Sequence, residues 1–348
     1  MHLLSCHPGM QDVLQAELLR LAPDCGACAD GDGWVAVPGI LPVDPVLAFA
    51  TQVWPDAEVV EAPSITRWAH HIVATACASV RGDTPWRLQL FAHGHGLAAV
   101  SPRRLDHIAA AVTTQLQRKQ RRLVRSCRPP IAPFLGDEVV ISVAFTGPET
   151  GAVSTIDAAV RARWSHVYSR FPGGYVALDP DPRPPARAYR KLREALAHLD
   201  VAPSDCATWV DLGAAPGSWT YDAVHAGARV WAIDRSPLRD DLMALSNLTF
   251  VRGDAFTYRP EVQPVTMLAC DVIAFPARSI GLLRDWLAQG LCEYFIVTLK
   301  FRGTDDYAQV DTCKPVLAEF AGACFMRQLY SNKNEVTVAG RCRLPARD

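Results

Sequence analysis

The residues best suited to chemistry sit in the second half of the chain, where apolar strand-like runs give way to turns. Asp211-Leu212-Gly213-Ala214-Ala215-Pro216-Gly217-Ser218-Trp219 carries the chain out of a strand expected at 209–212 and into a helix expected at about 217–226. In open α/β sheets ligands lie beyond the carboxyl ends of the strands, so the position suits a binding loop. Gly213 and Gly217 are expected to let the backbone approach a ligand, and Pro216 suits the first turn of a helix. The spacing is not G-x-G-x-x-G, which argues against a dinucleotide and so against a nicotinamide dehydrogenase. Asp234 closes the next strand, 230–233, and Asp254 follows the third, 248–251. A carboxylate at the end of the second strand can take both hydroxyls of a ribose. Acids at three successive strand ends, Asp211, Asp234 and Asp254, suit a cationic ligand that carries adenosine.

These loops need a sheet to hold them. Segments 209–212, 230–233, 248–251, 265–270 and 294–299 read as strands. Helices expected at 187–199, 217–226, 279–289 and 305–321 alternate with them, and a pair at 325–330 and 335–342 ends the pattern. Alternation of this kind predicts an α/β, Rossmann-like doubly wound sheet that finishes in an antiparallel hairpin. Upstream the pattern is α+β, with strands at 3–5, 34–37, 86–92 and 138–145 and helices at 11–21, 64–80 and 102–126. Asp179-Pro180-Asp181-Pro182-Arg183-Pro184-Pro185 cannot be helix or interior strand. The expected organisation is therefore 1–60, 61–172, a Pro-rich linker at 173–185 and a second-half domain at 186–348.

Composition sets the limits. A chain of 348 residues, 49% hydrophobic and with net charge −1, has material for two or three real cores and is not disordered. No apolar stretch approaches the ~20 residues of a membrane span. The first ten residues lack a basic segment followed by an apolar one, so no secretory signal is expected. The eleven cysteines are scattered, as in a reducing cytoplasm. Cys25 and Cys28 form a lone C-x-x-C with no second pair, which argues against structural zinc. His93 and His95 read as a surface loop.

The near-zero net charge conceals segregation. Residues 1–61 carry −8 and residues 62–135 carry +9. The densest basic run is Arg118, Lys119, Arg121, Arg122, Arg125 and Arg128. Six cations in eleven residues repel one another without a partner, so a polyanion is expected there, and nucleic acid above all. Thirty of the 35 basic residues are Arg, which makes each of the five Lys conspicuous.

The motifs at 211–219, Ala269-Cys270-Asp271, Thr298-Leu299-Lys300 and 329–338 together resemble the FtsJ/RrmJ-type S-adenosylmethionine-dependent RNA 2′-O-ribose methyltransferases. Within that group the chain is most similar to the bacterial 23S rRNA ribose methyltransferase M family. The similarity covers about 186–343. Over 1–60 and 61–172 it is looser, and implies a ferredoxin-like segment and a THUMP-like RNA-binding domain. The resemblance implies S-adenosylmethionine as cofactor, held by Asp211, Gly213, Ala215, Pro216, Gly217, Ser218, Trp219, Asp234, Asp254 and Asp271. It also implies a catalytic tetrad of Lys191, Asp271, Lys300 and Glu335, an RNA partner (23S rRNA, at a cytidine), no DNA or membrane partner, and a cytoplasmic location.

Methyl transfer to a ribose hydroxyl needs a base, because the hydroxyl is a weak acid. Lys300 is the candidate. Burial and a neighbouring cation, Lys191, are expected to lower its pKa from ~10.4 toward ~8. An Arg could not serve, because it stays protonated. Two departures stand out: Ser218 where the motif usually has a second Gly, and Ala188 where a Ser is frequent. A non-catalytic RNA-binding protein of the same fold and a methyltransferase of another RNA such as tRNA are the alternatives.

Overall fold

A computed structural model describes residues 1–92, 100–129, 133–134, 136–303 and 306–343. His93 and His95 lie outside them. The chain divides into two compact units, Met1–Tyr175 and Val176–Asp348.

The first unit contains two four-stranded sheets. One is built from β1 (His2–Ser5), β2 (Cys28–Ala29), β3 (Trp34–Val37) and β4 (Gln52–Trp54) in the order β2-β3-β1-β4, joined by α1 (Gln11–Leu21). The other comprises β5 (Glu58–Glu61), β6 (Trp86–Ala92), β7 (Val139–Phe145) and β8 (Thr150–Ile156) in the order β5-β8-β7-β6. Over this second sheet lies α2 (Ile65–Ser79), which has Ser64 as N-cap and buries Trp68, Ala69, Ile72 and Ala76 along one face. Strands β2, β4, β5 and β8 were not expected. They are short, or rich in Gly, Ser and Thr like Thr150–Ile156, and give weak periodicity.

The helix expected at 102–126 is two helices, α3 (Pro102–Lys119) and α4 (Arg121–Ser126). Gln120 breaks them with φ −138° and ψ 57°. Continuing the helix would set Arg118 over Arg122 and extend a row of like charges at i,i+4 spacing. Arg122 instead donates to the carbonyls of Val80 and Gly82. A short α5 (Ala158–Ala162), capped by Asp157, follows β8.

The second unit has the expected doubly wound sheet. Its strands are β9 (Thr208–Leu212), β10 (Arg229–Asp234), β11 (Leu248–Arg252), β12 (Val265–Cys270), β13 (Cys292–Lys300), β14 (Ala321–Arg327) and β15 (Glu335–Cys342). They lie in the order β11-β10-β9-β12-β13-β15-β14; the first five are parallel, and β15 is antiparallel to both neighbours. The helices are α6 (Tyr189–Leu199), α7 (Ser218–His225), α8 (Asp240–Met243), α9 (Pro276–Ala288) and α10 (Val310–Phe320). Strands covered on both faces read as apolar runs rather than alternations, which is why Val265–Cys270 and Cys292–Lys300 stand out in the sequence.

The Pro-rich stretch is tied to this unit rather than loose. The Asp181 amide donates to the Tyr189 hydroxyl at 2.8 Å, and the Asp181 carboxylate pairs with Arg193 at 2.9 Å. Among the described residues no helix is long and apolar enough to cross a membrane.

Candidate active site

Three strand ends and one helix converge at the carboxyl edge of the large sheet. Asp271 follows β12, Lys300 ends β13 and Glu335 opens β15. The antiparallel register sets Lys300 directly opposite Glu335. Lys191 comes from the first turn of α6 and reaches across. Its Nζ lies 2.7 Å from Asp271 Oδ2 and 3.0 Å from Glu335 Oε1. The Lys300 Nζ donates to the Asp271 carbonyl at 2.7 Å and lies 2.9 Å from Asp271 Oδ1. The four side chains thus form one connected set, with Asp271 shared between both ammonium groups.

The electrostatics follow from that sharing. Burial pushes the Asp271 carboxyl up, but Lys191 and Lys300 outweigh it and hold it below the usual carboxylate range. Burial likewise opposes the Lys191 charge, and the Asp271 and Glu335 carboxylates outweigh it, so its ammonium is held above its ordinary value. The expectation for Lys300 is burial beside Lys191, with Asp271 orienting it, and the Asp271 contact is present. Its side chain is 22% exposed and faces a carboxylate, and the charge of Lys191 is already balanced by two anions.

Residues not singled out in the sequence lock this set. The Thr298 hydroxyl donates to Asp271 Oδ1 at 2.6 Å. Asn332 accepts from the Leu329 amide at 2.8 Å and the Thr337 hydroxyl at 3.1 Å, shaping the turn before Glu335. Glu194, one turn after Lys191 on α6, is buried and accepts from the amides of Tyr330 at 2.8 Å and Ser331 at 2.9 Å. It ties the helix that carries Lys191 to the loop that presents Glu335. The i,i+3 spacing of Lys191 and Glu194 was the available signal. Burial raises the Glu194 carboxyl above its usual value despite those bonds. Glu194→Gln keeps one acceptor and strands one buried amide, so a loss of about 2 kcal/mol in denaturant unfolding is expected.

Beside the tetrad runs a cleft of about 440 Å³, lined in part by Gly213, Ala215, Asp234, Asp254, Phe256, Asp271 and Lys300. Asp234 accepts from the Ala215 amide at 3.0 Å through one oxygen and from the Ser236 amide at 2.9 Å through the other. Each oxygen keeps a lone pair for a ligand hydroxyl. Asp254 is more engaged: it accepts from the Phe256 amide at 2.9 Å and pairs with Arg235 at 2.9 Å, although it too lines the cleft.

Several residues expected to hold the cofactor also have partners within the protein. Gly213 has φ +77°, and a Cβ there would meet Val272 at 2.8 Å. Gly217 has φ +108°, and a Cβ would meet Leu242 at 2.4 Å. Both glycines make room for the protein's own packing, and Gly213 also lines the cleft. Ser218 is helical, so it needs no positive φ. Its hydroxyl accepts from the Ala186 amide at 2.9 Å and lies 3.0 Å from the Ala186 carbonyl, latching α7 to the chain before α6. Trp219 is buried in the core and donates from Nε1 to the Ala188 carbonyl at 2.8 Å. Ala215 and Pro216, beside Ala188, line a small recess of the same loop. Asp211 lies beneath the loop, 2% exposed, and accepts from the Thr220 hydroxyl at 2.6 Å. Burial pushes its carboxyl up to about 7, with Asp271 and Asp234 adding to the effect against the Thr220 bond.

The basic run also divides. Arg118, Arg121 and Arg125 are exposed on α3 and α4. Arg128 pairs with Asp137 at 2.8 Å and with buried Glu138 at 3.5 Å, and Arg122 is held by backbone carbonyls. Those two have intramolecular partners that the sequence did not reveal. The Lys119 side chain lies outside the described residues.

A doubly wound sheet with an antiparallel terminal hairpin, and a cleft at its carboxyl edge lined by acids, is the architecture of the methyltransferase class of α/β domain. Residues 185–317 match the FtsJ-like methyltransferase family, and the second unit carries such a domain. The chain is 39% identical over 165 residues to the ribosomal RNA large subunit methyltransferase M of Pseudomonas syringae pv. syringae (strain B728a), covering 44% of this chain and 46% of that protein. It is 38% identical over 178 residues to the protein of the same name from Azotobacter vinelandii, covering 47% and 49%. The chain thus spans about half the length of the curated relatives it matches. Among solved structures, the Methanococcus jannaschii fibrillarin pre-rRNA processing protein aligns over 42% of this chain and 70% of its own, at 18% identity and a TM-score of 0.34.

Proposed function

We propose that this protein transfers a methyl group from S-adenosylmethionine to the 2′-hydroxyl of a ribose in RNA, with a cytidine of 23S rRNA as the target. The observation that carries the reading is the connected set Lys191, Asp271, Lys300 and Glu335 at the mouth of an adenosine-sized cleft. When bound, S-adenosylmethionine supplies a methyl group on a positively charged sulfur. Asp234 holds its ribose hydroxyls, and the 213–216 backbone and Asp254 border the rest. Asp271, at the edge of the same cleft, orients Lys300 through both its carboxylate and its carbonyl. Lys300, as the free amine, would take the proton from the 2′-oxygen as that oxygen bonds to the methyl carbon and the carbon–sulfur bond breaks, leaving S-adenosylhomocysteine. Lys191 competes for the same carboxylate, so Asp271 does not serve Lys300 alone. Glu335, beside Lys191, faces the ribose. A cytoplasmic location belongs to the same reading.

The test is incubation with labelled S-adenosylmethionine and an unmodified 23S rRNA transcript, followed by mapping of 2′-O-methyl sites. Label at a single ribose is expected; label on a base, or no transfer at all, overturns the reading.

The basic run is the RNA-anchoring surface in this reading. With three exposed Arg contributing, the log–log salt dependence of RNA affinity should include a slope of about −2 from α3 and α4. Replacing Arg118, Arg121 and Arg125 by Ala should remove that part of the slope in filter binding. An unchanged slope would move the anchor elsewhere.

A further inference from the structure

Two segments that leave the tetrad carry an apolar and cationic surface that the methyl-transfer chemistry does not use. After Asp271 the chain runs through Ile273 and Phe275 to the start of α9. Ile273 is 90% exposed and Phe275 is 48% exposed. Among the described residues the second unit has four large exposed apolar side chains, and these are two of them. After Lys300 the chain turns through Phe301, which is buried, to Arg302, which is exposed. The Arg302 guanidinium lies 4.2 Å from the centre of the Phe275 ring. The pair therefore stands four residues beyond Asp271 and two beyond Lys300, at the edge of the site.

Both halves of the pair are held firmly. Phe275 is the N-cap of α9, with Pro276 next, and its carbonyl accepts from the Arg278 amide at 3.0 Å. The Phe301 amide donates to the Asn334 carbonyl at 3.0 Å, and Asn334 Nδ2 donates to the Phe301 carbonyl at 3.1 Å, so the turn carrying Arg302 is clamped to the loop before Glu335. An exposed ring on a rigid mount, with a guanidinium stacked against it, has lost the entropy that binding would otherwise cost. Ile273 lines the cleft beside the tetrad, whereas Phe275 is not part of that lining and carries Arg302 against its ring.

We infer that Phe275 and Arg302 form a stacking platform for an unpaired base of the substrate RNA, at or next to the nucleotide whose ribose enters the tetrad. The occupant follows from charge and position. A base has a π face that stacks on phenyl rings and on guanidinium planes alike, and single-stranded RNA is the form that can splay one out. Arg302 gives the surface the sign that the phosphates beside such a base require. Lys300 and Arg302 are two residues apart, at most ~7 Å between their Cα atoms, which is within the scale of one nucleotide. The inference rests on the RNA methyltransferase reading, and its test is built to fail separately from it.

Phe275→Ala, Phe275→Trp and Arg302→Ala are compared with the intact chain on the unmodified 23S rRNA transcript. S-adenosylmethionine affinity is measured on the same preparations by calorimetry, and RNA affinity by filter binding. Phe275→Ala should lower kcat/KM for RNA by about tenfold through KM and weaken RNA binding, with cofactor affinity unchanged. Phe275→Trp should stay within about twofold of the intact protein, since stacking on indole is at least as good. On a transcript made abasic at the methylated nucleotide or its neighbours, the difference between Phe275→Ala and the intact chain should vanish at one position. Wild-type kcat/KM and RNA affinity in Phe275→Ala, with normal cofactor binding, overturn the platform. Loss of cofactor affinity in Phe275→Ala also overturns it, because the ring would then belong to the cofactor cleft. If the intact chain binds RNA through Phe275 and transfers no methyl group, the platform stands and the catalytic reading falls.

Discussion

Lys300→Arg should reduce methyl transfer about a thousandfold while leaving S-adenosylmethionine affinity within about threefold of the intact protein. A positioned proton acceptor contributes roughly 10²–10⁴ to rate, and this substitution replaces a side chain that can lose its proton by one that cannot. The Lys300 Nζ is a single compact donor that meets the Asp271 carbonyl at 2.7 Å and its carboxylate at 2.9 Å. A guanidinium is wider, planar and permanently protonated, so it can satisfy the carboxylate yet cannot receive a proton from a ribose hydroxyl. Lys300 borders the cleft at one end only, and most of the rest of its lining comes from 213–215, 233–235 and 253–256, so cofactor binding should survive. The measurement is single-turnover transfer of labelled methyl to RNA, with calorimetry on the same sample. Transfer within tenfold of the intact protein would remove Lys300 from the role of base and leave only electrostatic positioning.

The sequence made the sheet legible because its strands are continuous apolar runs separated by helices, a pattern few other architectures produce. Strand ends were equally visible, which is why Asp234, Asp271, Lys300 and Glu335 could be placed at one edge before any coordinate was known. What the chain concealed is how side chains divide between ligand and protein. Gly213 and Gly217 look like cradle residues in a motif, but their neighbours Val272 and Leu242 come from distant segments. Ser218 looks like a defect in a glycine pair until its hydroxyl is found bridging to Ala186. The basic run looks uniform because Asp137, Glu138 and the Val80 and Gly82 carbonyls, which occupy two of its members, lie elsewhere in the sequence. The scarcity of Lys makes Lys300 conspicuous, but that its carboxylate partner Asp271 also serves Lys191 is a three-dimensional fact.

Asp211→Asn should change how stability responds to pH more than any other substitution in the cleft. In the folded chain burial raises the Asp211 carboxyl to about 7, against an ordinary value of 3.8. Between those values the folded state keeps a proton that the unfolded chain has lost. Folding is therefore progressively penalised as pH rises from about 4 to 7, with the full penalty above 7. About three units correspond to at most ~4 kcal/mol. Asn is isosteric, stays neutral and can still accept from the Thr220 hydroxyl, which lies 2.6 Å from Asp211. Relative to the intact chain, Asp211→Asn should thus gain several kcal/mol at about pH 8 and almost nothing at about pH 4, read as denaturant midpoints at the two conditions. A constant difference across that range would show that Asp211 does not titrate in it. The same linkage reaches the ligand. Asp271 and Asp234, which both line the cleft, are among the groups that raise Asp211, so a cation bound there opposes them and favours its ionised form. S-adenosylmethionine binding near neutral pH should therefore release a proton and tighten as pH rises from about 6 to 8. Calorimetry in two buffers of different ionisation enthalpy reads that proton directly. In Asp211→Asn the buffer dependence should disappear while the cofactor still binds, and its persistence would assign the proton to another group.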